Sequence, residues 1–317
     1  MTEINIVCAT DNRYAPYYGI MLTSLFINNT RIKIHVFFLI GENLSQQTYY
    51  RFNQLAESYH HDIQYVKVDE SILCNCPIRI GDHVSLATYF RLIAPVLLPE
   101  YIDKVLYLDG DIIVDDSIMD LWNTDVSNVA IAAVTDESYR NPEVYERLGL
   151  DNNIPYTSAG VLIMNLGYWR DHNVIGRCLD CIERQKNKLL FHDQDTLNIV
   201  CQYEKSILPA KFNLQSGFLR PWNFQTYDSP IQKEIADTLH SPVIIHYSGP
   251  GKPWLKYNDH PYKSYYYHYK KQSLWKDYPQ LNTYNAESFA HDIVGRALRF
   301  FNIKPKLYII SPIKKKW

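Results

Sequence analysis

Lys104-Val105-Leu106-Tyr107-Leu108-Asp109-Gly110-Asp111-Ile112-Ile113-Val114 is an apolar strand that runs straight into two acids separated by glycine. Two carboxylates this close on one face would normally repel each other. The intervening Gly110 lets the chain turn and lets a ligand come near. Such a pair suits a hard divalent cation, Mn²⁺ or Mg²⁺, carrying a diphosphate. The same letters also spell an Asp-Gly turn closing a hairpin. That reading explains Gly110. It does not explain Asp109 and Asp111 standing together where an open α/β sheet puts its ligand, at the carboxyl end of a strand.

The flanking sequence supplies the sheet. Ile4–Ala9 is a short apolar run, and residues 16–28 carry Tyr18, Met21, Leu22 and Leu25 at helical spacing. A buried strand is predicted over Lys33–Ile40, a helix over 46–58 capped by Ser45, and a strand over 63–68. A helix over 84–94, ended by Pro95, precedes the strand Lys104–Leu108. This alternation predicts an α/β fold with a mostly parallel sheet and helices on both faces. Further strands are expected at 129–134, 161–165 and 243–247, and helices over 167–187 and 194–203.

Two more segments point to the same chemistry. Val243-Ile244-Ile245-His246-Tyr247-Ser248-Gly249-Pro250-Gly251-Lys252 is a second strand, ending in a histidine, a glycine-rich turn and a lysine. Imidazole beside two carboxylates suits Mn²⁺. Backbone amides near Gly249 and the charge of Lys252 suit phosphate oxygens. In Phe191-His192-Asp193-Gln194-Asp195 a polar cluster opens a helix, where Asp195 can serve as a cap or favour the helix dipole.

Composition sets the limits. The chain has 317 residues, 46% hydrophobic and 21% charged, which excludes a disordered or fibrous protein. The formal charge of -2 hides an asymmetry: residues 293–317 carry seven basic side chains and no acid, leaving -9 on the rest. The basic charge is confined to that apolar-rich tail and no recognition motif accompanies it, so no nucleic-acid partner is expected. The N-terminus lacks a basic region followed by an apolar run, and no stretch approaches the ~18 apolar residues of a membrane span, so an intracellular protein is expected. The six cysteines are expected reduced and buried. Cys74/Cys76 and Cys178/Cys181 have spacings compatible with zinc, but Cys178 and Cys181 also suit the apolar face of a helix.

Taken in order, six segments resemble glycosyltransferase family 8, in particular its bacterial lipopolysaccharide galactosyl- and glucosyltransferase branch. They are Val7–Asp11, Tyr89–Leu92, Val105–Asp111, Ser158–Leu166, Asp193–Asp195 and His246–Trp254, spanning roughly residues 4–260. The resemblance implies a nucleotide-diphospho-sugar transferase fold of the GT-A type: a Rossmann-like mixed sheet, helices on both faces, and a small basic C-terminal helical appendage. It implies a catalytic domain over 1–255 and an aromatic, basic region over 256–317. It implies a UDP-hexose donor and transfer with retention of anomeric configuration. By the same resemblance Asp109, Asp111 and His246 would ligate Mn²⁺, or Mg²⁺. Ala9 and Asp11 would line the uracil and ribose pocket, with Arg13 near the nucleotide. Lys252 and the Gly249 backbone would hold the diphosphate. Arg91, Ser158, Ala159, Asp193 and Gln194 would surround the donor sugar, with Asp193 or Gln194 assisting the oxocarbenium-like centre. Retention through a covalent intermediate and front-face attack both stay open. Ser158 replaces an asparagine common in the family, which leaves glucose or galactose open as donor sugar. Arg13 stands where relatives often carry a smaller polar residue.

The last sixty residues differ in character. Tyr262, Tyr265, Tyr266, Tyr267, Tyr269 and Trp275 crowd one stretch with Lys263, Lys270 and Lys271. Two readings follow: a helix packed on the core, or an acceptor-glycan platform. The tail interleaves its cations with Leu298, Phe300, Phe301, Leu307, Ile309, Ile310 and Trp317. That pattern suits peripheral attachment to an anionic membrane face, where a lipid-linked or lipopolysaccharide-core acceptor waits. A family 8 transferase for a capsular or protein-linked glycan is an alternative. A non-catalytic sugar-nucleotide-binding protein is another, although the complete Asp109, Asp111, His246 and Lys252 set speaks against it.

Overall fold

The computed structural model describes residues 2–78, 85–256, 258–281, 299 and 306–313. Among the described residues ten strands form two sheets: β1 (Glu3–Ala9), β2 (Lys33–Ile40), β3 (Asp62–Lys67), β4 (Lys104–Leu108), β5 (Ile112–Val114), β6 (Ile131–Thr135), β7 (Thr157–Asn165), β8 (Lys205–Leu208), β9 (Leu214–Gln215) and β10 (Ile244–His246). The larger sheet has the order β3-β2-β1-β4-β7-β6-β8 and the smaller one β5-β10-β9. β7 runs antiparallel to both β4 and β6, while the other pairings of the larger sheet are parallel, so the sheet is mixed.

This topology decides where ligands go. The carboxyl ends of β1, β4 and β6 and the amino end of β7 meet at one edge. β1 pairs with β4 with Val7 opposite Tyr107, which sets Ala9 level with Asp109. Alternate residues of each central strand feed two cores. Ile6, Cys8, Leu106 and Leu108 enter one, and Val7, Ala9, Val105 and Tyr107 the other.

The helix Ala15–Asn28 shows why the C-terminal aromatics exist. Every residue from Ala15 to Phe26 is buried, not just the expected stripe. One side packs on the sheet, another meets β5 through Ser24, whose hydroxyl accepts from Val114 N at 3.0 Å. The remaining side is covered by the helix Lys263–Gln272 and its flanks. Trp254 stacks on Tyr17 with ring centroids 3.7 Å apart, and Gly19 leaves the space that Trp275 fills. Tyr262, Tyr265, Tyr266, Tyr269 and Trp275 are all buried. Their rings pack in the core, the first of the two readings of this stretch, and the composition change at 255 brings no break in the core.

Three expectations are corrected. Pro95 lies inside the helix Phe90–Leu97 rather than ending it; the helix continues because Leu98 N still reaches Ala94 O at 3.0 Å. The helix expected over 167–187 is two, Leu166–Asp171 and Val174–Gln185, broken at Asn173 with φ 46°. β7 begins at Thr157, four residues before the expected start. Ser45 caps the helix Gln46–Ser58 as expected, accepting from Thr48 N. All six thiols are free; Cys178 and Cys181 lie buried on one helix, and the cysteines contribute to no metal-binding group among the described residues. No helix among the described residues is long and apolar enough to cross a membrane.

The C-terminal tail is described over 306–313. There Tyr308 is buried, and Leu307, Ile309, Ile310 and Ile313 pack against the core. Ile309 N donates to Leu219 O at 2.8 Å and Ile313 N to Pro261 O at 2.9 Å. Arg299 and Lys306 are the tail cations within the described residues; the other five lie outside them.

Candidate active site

Asp109-Gly110-Asp111 is not a hairpin turn. β4 belongs to the larger sheet and β5 to the smaller, so the triplet is the step between them. β10 pairs with β5, placing His246 opposite Ile112, and Tyr247 N donates to Asp111 O at 3.0 Å. Pairing β5 with β10 therefore brings His246 to the two acids from far away in sequence. Ligand atoms of Asp109, Asp111 and His246 all lie within 4.8 Å of one another. Gly110 is needed for a different reason from the expected turn: a Cβ there would press into the Tyr18 ring. Gly160 is more telling, since a Cβ would collide with the His246 ring and the Asp109 carboxylate.

The electrostatics separate the two acids. Burial works against charge on both. For Asp111 it is outweighed by Lys252 and His246, which hold the carboxyl well below the usual range. Lys252 Nζ bonds Asp111 directly and also donates to Tyr247 O at 2.8 Å. His246 Nε2 lies 3.3 Å from Asp111 Oδ1. For Asp109 burial wins, and its carboxyl is raised despite Arg91. Two carboxylates and an imidazole make a donor set that suits Mn²⁺ or Mg²⁺. His246 Nδ1 contacts Asn213 Oδ1 at 2.9 Å, which orients the ring with Nε2 facing the acids, the face a metal would take. The residues present thus fit a divalent cation.

Around this centre Arg91 organises a second layer. Its guanidinium reaches Asp109 at 3.0 Å and Asp193 at 2.9 Å, bonds Ala159 O, and lies 4.1 Å from the centroid of the Tyr107 ring. Thr88 Oγ1 donates to Asp193 at 2.6 Å, and burial raises the Asp193 carboxyl against the pull of Arg91. Gln194 accepts from Ala159 N at 3.0 Å and donates to Asp136 at 3.3 Å and Tyr156 Oη at 3.2 Å. Asp195 is no exposed cap: it is buried, paired with Arg147 at 2.7 Å, and accepts from Tyr156 Oη at 2.7 Å and Phe191 N at 2.8 Å.

The remaining expected residues spread along the same edge. Ala9 is buried at the end of β1. Asp11 caps the turn that follows, accepting from Arg13 N at 2.9 Å and Tyr14 N at 2.8 Å. Arg13 is exposed. Ser158 is buried, and its hydroxyl accepts from Gly160 N at 3.4 Å. Gly249 sits exposed in the turn before Lys252 with φ +72°, which favours glycine.

Sequence reading missed Asn213, Tyr107, Thr88, Asp136 and Tyr14. Tyr14 lies close enough to Asp111 and Asp109 that burial, then those charges, push its phenol up to about 12. No local pattern marks Asn213, because its role exists only once β9 and β10 are paired.

The comparisons agree with this geometry. A sequence model described as glycosyl transferase family 8 matches residues 5–258. A Haemophilus influenzae protein is 31% identical over 260 residues, 81% of this chain and 74% of its own length. The lipopolysaccharide 1,3-galactosyltransferase of Salmonella typhimurium is 28% identical over 95% of this chain and 87% of its own. A crystal structure of the galactosyltransferase LgtC with donor and acceptor sugar analogues superposes with a TM-score of 0.74 at 25% identity, covering 91% of this chain and all of that one. The mixed sheet with helices on both faces is thus of the GT-A type. With most of its length matched, the chain belongs to glycosyltransferase family 8.

Proposed function

We propose that the protein transfers a hexose, glucose or galactose, from a UDP-sugar to a lipopolysaccharide-core acceptor, with Mn²⁺ bound and with retention of configuration. The observation that carries this reading is the juxtaposition of Asp109, Asp111 and His246 with Lys252 at the ligand edge of the sheet. A bound divalent ion would neutralise charge building up on the departing diphosphate. Lys252 adds a second positive charge to that side, where electrostatic preorganisation contributes most. Arg91 holds Asp109 and Asp193 in fixed orientations. Gln194, fixed by three hydrogen bonds, offers an amide oxygen beside the donor sugar. Ala9, Asp11 and Arg13 take the nucleoside side, and Gly249 the diphosphate. Ser158 and Ala159 border the sugar. Similarity to the Salmonella galactosyltransferase and to an Escherichia coli lipopolysaccharide 1,2-glucosyltransferase, 26% identical over 86% of this chain, supports the acceptor class. The enzyme works on the cytoplasmic face of the membrane, held there by the basic tail.

The test is UDP release from UDP-glucose and UDP-galactose with Mn²⁺, followed by NMR of the product. Asp111→Ala is expected to lose at least about 100-fold in rate, the scale of one electrostatic group at a reacting centre. Turnover that ignores a chelator sinks the metal assignment, and an inverted anomeric centre sinks retention.

A further inference from the structure

β10 is three residues long and β9 two, and their pairing ends with His246 opposite Gln215. A site residue on so short a ladder needs side chains to hold it in place. They take over where the backbone pairing stops. Ser216, the residue after β9, donates from Oγ to His246 O at 3.4 Å, and its backbone N donates to Ser248 Oγ at 3.1 Å. One serine thus grips the strand end on both sides of Tyr247.

Ser216 is itself set by His260, whose Nε2 lies 3.1 Å from Ser216 Oγ. Tyr262 N donates to His260 Nδ1 at 3.2 Å, which makes Nε2 the donor and Ser216 Oγ the acceptor. The serine proton is thereby directed to His246 O. The imidazole is 2% exposed, and its backbone N donates to Asn258 Oδ1 at 2.7 Å. Its ring makes T-shaped contacts with Tyr247, at 4.8 Å between centroids, and with Tyr308, at 5.5 Å. Tyr247 Oη donates to Tyr262 O at 2.9 Å, so the segment carrying His260 holds the ligand strand a second time. A buried imidazole and hydroxyl cost desolvation that an apolar pair of the same size avoids. Hydrogen-bonded as they are, they fix geometry. The geometry they fix is that of the site: His246 Nε2 faces Asp111, Tyr247 N donates to Asp111 O, and Lys252 Nζ donates to Tyr247 O.

We propose that His260 is a positioning residue for the divalent-metal site: acting through Ser216, it fixes the backbone of His246–Ser248 and so aims the His246 imidazole at the ion. It works through its neighbours rather than on the ion. The inference rests on the metal reading above and extends it to a residue fourteen positions beyond the metal-facing histidine.

The experiment titrates Mn²⁺ alone into the full chain and follows the free ion by electron paramagnetic resonance, at a temperature where circular dichroism shows the protein folded. Wild type is expected to take up Mn²⁺ at the site. Ser216→Ala is expected to weaken that binding about 10-fold, the lower end for losing a group that orients a metal ligand. His260→Phe keeps a ring and loses the donor, and is expected to do the same. The double substitution is expected to do no more than either alone, because both break one path. His260→Gln can place an amide N–H near the position of Nε2, and is expected to recover most of the affinity. Asn173→Val, a backbone-strain substitution outside this network, is the control and is expected to leave Mn²⁺ affinity unchanged. Wild-type affinity in Ser216→Ala overturns the proposal, whether or not His260→Phe folds. Additive losses in the double substitution, a His260→Gln no better than His260→Phe, or an equal loss in Asn173→Val overturn it as well. A wild type that takes up no Mn²⁺ overturns the metal reading itself, and this inference with it.

Discussion

Arg91 is the side chain on which the site's charge balance turns. It is buried between Asp109 and Asp193, two acids that burial already disfavours. Replacing it with methionine leaves both carboxylates buried without a counter-charge. Arg91→Met is therefore expected to cost about 3–5 kcal/mol, read as a lowered urea midpoint. Arg91→Lys should recover only part of that, because a point charge cannot serve two acids and a carbonyl at once. A midpoint unchanged in Arg91→Met would show the network to be ornamental. His260 offers a second test. Tyr262 N donates to its Nδ1 at 3.2 Å, so Nε2 carries the proton toward Ser216 Oγ at 3.1 Å. Burial, then Arg220 and Lys252, hold the imidazole down to about 3, against about 6.5 when unfolded. The unfolded chain thus binds the extra proton first. Its contribution is full above about pH 6.5 and is lost at up to about 1.4 kcal/mol per unit as pH falls toward 3. Glu137, raised to about 7, has the opposite sign over an overlapping range. The raw curve therefore mixes the two, and the check is the difference between wild type and His260→Gln at pH 7, 6 and 5. Parallel curves would contradict the assignment.

At the scale of elements, periodicity identifies what is local and fails where distant contacts decide. β1, β2 and the helix Gln46–Ser58 were legible because apolar spacing and Ser45 announce them. The acids at the end of β4 were legible for the same reason. The early start of β7 was not, since Thr157–Gly160 has no apolar pattern and is ordered by its neighbours. Asn213 and Gly160 act on His246 only after the two sheets meet, which no local window can register. The break at Asn173 was hidden by continuous helical spacing through Tyr168, Ile175, Cys178 and Ile182. Its left-handed backbone suits asparagine, and its side chain folds over Gly176. Asn173→Val is expected to destabilise the protein by about 1–2 kcal/mol, whereas Asn173→Gly should be near neutral in thermal melts. Equal melting temperatures for the two would mean that the turn relaxes to an ordinary helix.

At the scale of the whole molecule, the charge asymmetry and the apolar tail come apart. Sequence alone joined the tail's cations and its apolar residues into one membrane-binding pattern. In the structure Tyr308 is buried, and Leu307, Ile309, Ile310 and Ile313 lean on the core beside Leu219 and Pro261. Those side chains already have partners, so inserting them into lipid would undo packing that holds Arg220 in place. The proposed attachment to a membrane is therefore expected to depend on the cations more than on apolar insertion. Each Lys or Arg near an anionic leaflet contributes about 1 kcal/mol, and the effect dies within a Debye length. Neutralising Lys314, Lys315 and Lys316 to alanine is therefore expected to weaken binding to phosphatidylserine vesicles about 100-fold, with the melting temperature unchanged. Wild-type binding should also fall steeply between 0.05 and 0.5 M salt. Deleting 306–317 is a poorer test, because it removes the Tyr308 packing along with the charges. Vesicle binding that resists salt and survives the triple substitution would return the apolar residues to the membrane and require the strap over Leu219 to open.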